Sequence, residues 1–159
     1  MTKSKKIISA IFGFLAIFSF AHSVEVSYEV EAVYDPEVEE SLGIFAEIPI
    51  TFDDIYEECL DPMAELDLDG MDYDTAYDAV DELYDEIYDI IDERYDEIYD
   101  CIDEVYDIVY DEIDDDDEEE ILDEQYDFAM EYLDEEYDAA MEDLDNIFDE
   151  LMDIVNELD

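Results

Sequence analysis

From Tyr73 to Asp114 apolar and acidic positions recur every eleven residues, in four nearly identical copies: YDTAYDAVDEL, YDEIYDIIDER, YDEIYDCIDEV and YDIVYDEIDDD. With the unit labelled a to k, apolar side chains stand at a, d, e and h, as in Tyr84, Ile87, Tyr88 and Ile91. On a helix these four positions fall on one face about 100° wide, the stripe of an amphipathic helix. Eleven residues make three turns at about 3.67 residues per turn, which predicts a nearly straight helix or a slight right-handed supercoil. A second block, YDFAMEYLDEE, YDAAMEDLDNI and FDELMDIVNEL, carries the stripe in a new phase, with Tyr126, Tyr137 and Phe148 at a and Met130, Met141 and Met152 at e. Tyrosine-rich on one helix and Ala/Met-rich on the other, the two stripes suit large residues packing against small or adaptable ones.

Between the blocks, Asp114 to Glu120 is an unbroken acidic run with no apolar face. Pro62 and Gly70 are the last residues of their kinds, so nothing beyond Met71 breaks a helix on intrinsic grounds. The predicted fold is mainly all-α: one long helix over 71–113, an acidic turn over 114–120 and a second long helix over 121–158. Folded back, these make an antiparallel helical hairpin built on 11-residue repeats. The competing arrangement is one continuous helix that forms a coiled coil, and hence a homo-oligomer, with another copy.

The pattern upstream is different. Lys3, Lys5 and Lys6 precede an apolar run, Ile7 to Phe20, and Ala21-His22-Ser23 reads as a cleavage site, so residues 1–23 are predicted to be an export signal cut near Ser23. The apolar run is shorter than the ~20 residues a membrane span needs. The mature chain is therefore expected outside the cytoplasm, secreted or periplasmic, and not membrane-bound. Residues 24–50 read as an extended, β-like segment: Val24 to Val33 alternates apolar and polar, and Ile44 to Ile50, interrupted by Pro49, reads as an edge strand. Short helices are expected over 51–70, one opened by Thr51 and Asp54 over Phe52 to Leu60, another started by Asp61-Pro62.

Composition changes the picture in one direction. The chain carries 57 acidic and four basic residues, a formal charge of −53; loss of the leader removes three lysines and no acid, leaving 57 acids against Arg94, or −56. Such a chain lacks the Lys/Arg clusters that neutralise phosphates, so direct nucleic-acid binding is not expected and cationic partners are. Half of the residues are hydrophobic, so the pattern favours folding while self-repulsion opposes it. Two cysteines in an exported chain permit a single bridge, Cys59 to Cys101, which would tie the region before the repeats to their third copy. His22 is the only histidine and lies in the leader; no nucleophile and base set and no glycine-rich phosphate loop points to an enzyme.

The acids are ordered as well. Positions b, f and i of the first block are all aspartate: Asp74, Asp78, Asp81, Asp85, Asp89, Asp92, Asp96, Asp100, Asp103, Asp107, Asp111 and Asp114. The second block continues with Asp127, Glu131, Asp134, Asp138, Glu142, Asp145, Asp149 and Asp153, and fails at Asn156. Steps of three and four make each set a ladder, with rungs about 5–6 Å apart between Cβ atoms. In an antiparallel pair the ladders run along the same side, an unfavourable arrangement without counterions. These twenty residues are the candidate metal ligands, offering Ca²⁺ or another hard cation many weak sites made of carboxylates and water. A basic protein or peptide, or a salt-adapted solvated surface, are the alternatives. Glu65, Asp67, Asp69 and Gly70 resemble the start of an EF-hand loop, but Asp72 and Ala76 stand where that loop needs an apolar residue and a bidentate acid.

Overall fold

The structure, a computed structural model, describes residues 34–158. The predicted leader and the strand expected over 24–33 lie outside the described residues. Among the described residues there is no strand: the elements are helices α1 (Pro36–Leu42), α2 (Asp53–Ile55), α3 (Asp61–Ala64), α4 (Tyr73–Tyr110) and α5 (Asp116–Val155). A 3₁₀ turn, Gly43–Glu47, follows α1, and a π turn, Tyr56–Leu60, joins α2 to α3.

The chain expected to be extended over Ile44 to Ile50 is instead a 3₁₀ turn followed by a short irregular stretch. The reason lies just upstream. Asp35 caps α1 by accepting from Glu37 N–H at 3.0 Å, and Pro36 sits at the first helical position with acids behind it, a start signal stronger than the brief alternation that follows. The apolar residues of this segment point inward without a ladder: Leu42, Phe45, Ile48, Ile50 and Phe52 are all buried. Tyr34 fastens the stretch, its hydroxyl donating to the Ile48 carbonyl and accepting from Ile50 N–H at 2.7 Å.

Thr51 does contribute at the next start, accepting from Asp53 N–H at 3.1 Å. Asp61-Pro62 does not open a separate helix, because α2, the π turn and α3 run on without a break. Proline has no N–H and crowds the preceding turn. The helix accommodates it by widening, and Asp61 N–H reaches back to the Tyr56 carbonyl, a five-residue step.

Asp72 caps α4 through Thr75 N–H at 2.9 Å. The turn into α5 is tighter than the acidic run, because Asp115 accepts from Asp117 N–H at 3.0 Å and α5 begins at Asp116. Asp116, Asp117, Glu118 and Glu119 thus form the first turn of a helix, where the partial positive charge of the N-terminus favours carboxylates by about 0.3–1 kcal/mol each. Helices of 38 and 40 residues are each roughly 60 Å long at 1.5 Å per residue. They pack along one another in opposite directions: Tyr84 meets Asp145, Tyr95 meets Asp134 and Tyr106 meets Asp123.

The buried stripe is narrower than the pattern implies. On α5 positions d and h are buried throughout, as Leu122, Ala129, Leu133, Ala140, Leu144, Leu151 and Val155. On α4 they are Ala76, Val80, Ile87, Ile91, Ile98, Ile102 and Val109, with Cys101 and Val105 added on the flank away from the tyrosines. Position a is half-buried from Tyr84 onward and position e of α4 is exposed, a correction to the expected a, d, e, h core. The N-terminal segment covers the opposite flank, where Tyr34 packs edge-on against Tyr132 and Ile44 N–H reaches Gln125. Small residues at d on α5, Ala129 and Ala140, leave room for large neighbours, and Phe45 and Phe52 lie edge-on to Tyr126 and Tyr137.

The backbone at Gly43 requires glycine. Its φ is +55°, and a Cβ there would collide with the Gln125 side chain. Gly43→Ala is therefore expected to cost about 1–3 kcal/mol from backbone strain alone, measured as a lower urea midpoint at fixed ionic strength.

Candidate functional site: a tyrosine–aspartate seam and its outer carboxylates

The seam follows from the repeat. Position a of each long helix lies beside the core, so its tyrosine ring meets the a ring of the other helix: Tyr84 with Phe148, Tyr95 with Tyr137 and Tyr106 with Tyr126, at centroid distances of 4.6, 4.8 and 4.5 Å. Each phenol then projects beyond its partner ring and finds the i-position aspartate of the opposite helix. Tyr84, Tyr95 and Tyr106 donate to Asp145, Asp134 and Asp123 at 2.8, 2.7 and 2.7 Å. In the reverse direction Tyr126 and Tyr137 donate to Asp103 and Asp92 at 3.1 and 3.3 Å. Every step of eleven up one helix matches a step of eleven down the other, so the register repeats itself.

The sequence pattern singled out these aspartates as cation ligands and the tyrosines as core. The structure gives Asp92, Asp103, Asp134 and Asp145 a protein partner, and adds Asp123, which precedes the second block. The signal was present in the strict pairing of tyrosine at a with aspartate at i, but it acquires meaning only once the antiparallel register is known. Phe148 marks the exception: by the same register it stands level with Asp81, and it has no hydroxyl to offer.

The carboxylates raise the tyrosine pKa values, because an ionised acceptor favours the protonated phenol. Tyr84 and Tyr106 are pushed up to about 12, mainly by their bonds to Asp145 and Asp123. Tyr95, Tyr126 and Tyr137 reach about 12 with burial as the first cause and the aspartate or a neighbouring tyrosine second.

Outside the seam lie the b and f rungs. On α4 these are Asp74, Asp78, Asp85, Asp89, Asp96, Asp100 and Asp107, with Asp111 at its C-cap, and on α5 Asp127, Glu131, Asp138, Glu142, Asp149 and Asp153, all exposed. Asp81 on α4 and Asp114 in the connection to α5 are also exposed. The rungs succeed one another along the axis, and no group of three or more acids, cysteines or histidines among the described residues is arranged to hold a metal ion. The one ion pair among the described residues joins Arg94 to Glu97 at 3.8 Å, within α4.

Cys59 and Cys101 are free thiols. Cys59 lies in the π turn close enough to Glu86 for that charge to help burial raise its pKa. Cys101 is buried on α4, about four turns of helix beyond Glu86. Glu65, Asp67 and Asp69 close no loop around a common centre; Asp67 instead accepts from Asp69 N–H at 3.0 Å.

Among the described residues no helix is long and apolar enough to cross a membrane. No protein-family model matches the chain, and no curated protein or solved structure matches it at a significant level.

Two outcomes test the seam. Phe148→Tyr is expected to complete the pattern by donating to Asp81 and to raise stability by about 0.5–1 kcal/mol, whereas Tyr95→Phe lowers it by about 1 kcal/mol; chemical denaturation at fixed salt measures both. The alkaline limb follows from the sign of the shifts. The phenols bind their protons more tightly in the folded state, so their contribution is complete below their ordinary pKa of 10.0 and is lost as pH rises through about 12. Helix content followed by circular dichroism should fall over that interval, in step with the ultraviolet signal of phenolate formation.

Proposed function

We propose that this protein is an exported polyanion whose long helices form an antiparallel hairpin on 11-residue repeats and collect hard cations, Ca²⁺ foremost, along their outer carboxylate rungs. The observation that carries the reading is the division of labour among the acids. The i rungs Asp92, Asp103, Asp134 and Asp145 serve the seam, while the b and f rungs stand exposed in steps of four and seven with, among the described residues, no basic side chain beside them other than the Arg94 already paired to Glu97.

A solvated helix surface is ordinarily built from Glu and Lys, which form helices better than Asp does. A row of short, stiff aspartates with like charges one turn apart destabilises its helix, and cations relieve that cost. Ca²⁺ accepts carboxylate and water oxygens in flexible numbers, so an ion between successive rungs needs no closed loop. No three-ligand cluster occurs among the described residues, so the proposed sites would be shared by two rungs and water, for which weak binding on the order of 10⁻⁴–10⁻³ M is expected. Mg²⁺ holds its own water more tightly and would stay outside the ligand shell.

Circular dichroism and equilibrium dialysis at low ionic strength test this. Ca²⁺ should raise thermal stability and helix content at millimolar concentration, with several ions bound per chain, well before NaCl of equal ionic strength does so. Equal effects of the two salts would reduce the ladder to a screened surface and sink specific cation binding.

A further inference from the structure

Position e of α4 forms a row of its own. Tyr77, Tyr88, Tyr99 and Tyr110 are 37%, 38%, 37% and 44% exposed, unusual for aromatic side chains repeated so regularly. Each leans on the a ring of its own helix, Tyr77 on Tyr73, Tyr88 on Tyr84, Tyr99 on Tyr95 and Tyr110 on Tyr106, with centroids 5.7–6.4 Å apart. That contact, together with phenol contacts from Tyr88, Tyr99 and Tyr110 to Tyr137, Tyr126 and Glu119 of α5, holds the ring in place while more than a third of the side chain stays open. The b-position aspartate one turn before each tyrosine, namely Asp74, Asp85, Asp96 or Asp107, lies exposed on the same side of the helix. Among the described residues the N-terminal segment packs against the far flank of α5 and leaves this side uncovered.

We propose that this face of α4 is a docking track for an arginine-rich segment of a basic protein, independent of the cation reading. Charge complementarity selects the occupant. A second copy of this chain would bring another acidic row against the first, and an uncharged partner would have to strip water from the aspartates. Guanidinium matches both halves of each unit: it stacks on an aromatic face and forks onto a carboxylate, whereas the compact, strongly hydrated ammonium of lysine does neither as well. The rings repeat at about 16 Å, eleven residues of helix. An extended segment advances about 3.3 Å per residue, so an arginine at every fifth position meets successive rings.

The test is calorimetric titration of the protein, at physiological ionic strength, with two synthetic peptides of equal length and charge: one with arginine at every fifth position and one with lysine there. The arginine peptide is expected to bind about tenfold more tightly, the product of modest gains at several exposed rings. Tyr88→Leu/Tyr99→Leu should remove most of that difference without changing net charge, Tyr88→Phe/Tyr99→Phe should preserve it, and Ca²⁺ binding should be the same in all three. Equal affinity for the two peptides, or an unaltered arginine preference in a helical leucine variant, would overturn the proposal and leave a general polyanion. If the leucine variant loses helix, the decision passes to the unaltered protein: upfield shifts of the peptide's arginine methylene protons on binding show stacking on the rings, and their absence overturns the track.

Discussion

The structure depends on bringing two polyanionic helices side by side. Carboxylates on adjacent turns already repel, and antiparallel packing sets the ladders of both helices along one side of the seam. The hydrogen bond from a tyrosine of one helix to an aspartate of the other addresses this directly. The phenol is a neutral donor set between charged rows, and its bond to a carboxylate is of the stronger, charge-assisted kind. It runs both ways across the seam, from Tyr84, Tyr95 and Tyr106 on α4 and from Tyr126 and Tyr137 on α5. Stability therefore comes from an apolar stripe two positions wide plus a row of phenols that convert the nearest charges into acceptors.

That solution is one-sided, and the asymmetry shapes the rest of the molecule. A pair of helices joined only at d and h has a narrow core, and its second flank must be closed by something else. Leu42, Phe45, Ile48, Ile50, Phe52, Leu60 and Met63 supply the cover, and Cys101 and Val105 on α4 are buried with them. Packing them needs a sharp exit from α1 at Gly43 and a widened turn before Pro62, so the irregular features of the fold sit in the covering segment. The long helices stay regular, and their tyrosine side stays open.

How far the sequence revealed this depends on which interaction decides each element. The two long helices and the inward d and h residues were legible because an 11-residue period leaves few alternatives. Position e was misplaced from Tyr77 to Tyr110 because hydrophobicity alone does not separate a tyrosine in the core from one whose ring rests on a neighbouring ring at the rim. The segment from Ile44 to Ile50 looked extended because its apolar residues are too few to show a period, and only contacts with α5 determine which way they face. A Cys59–Cys101 bridge was reasonable from compartment and number alone. It is not formed: both thiols are free, Cys59 in a π turn that packs on α5 and Cys101 buried on α4.

The acids illustrate the same point at the level of function. In the sequence all twenty rungs look equivalent, so any ionic role had to be assigned to all of them. Once the helices are paired, the i rungs Asp92, Asp103, Asp134 and Asp145 become acceptors for phenols, while the b and f rungs, exposed to water as these are, serve no phenol. An ion at a b or f rung therefore does not compete with the seam for its carboxylates. Under the proposed cation reading, loading the outer rungs would reduce repulsion along each helix and leave the tyrosine bonds intact, so binding and helix pairing would reinforce each other.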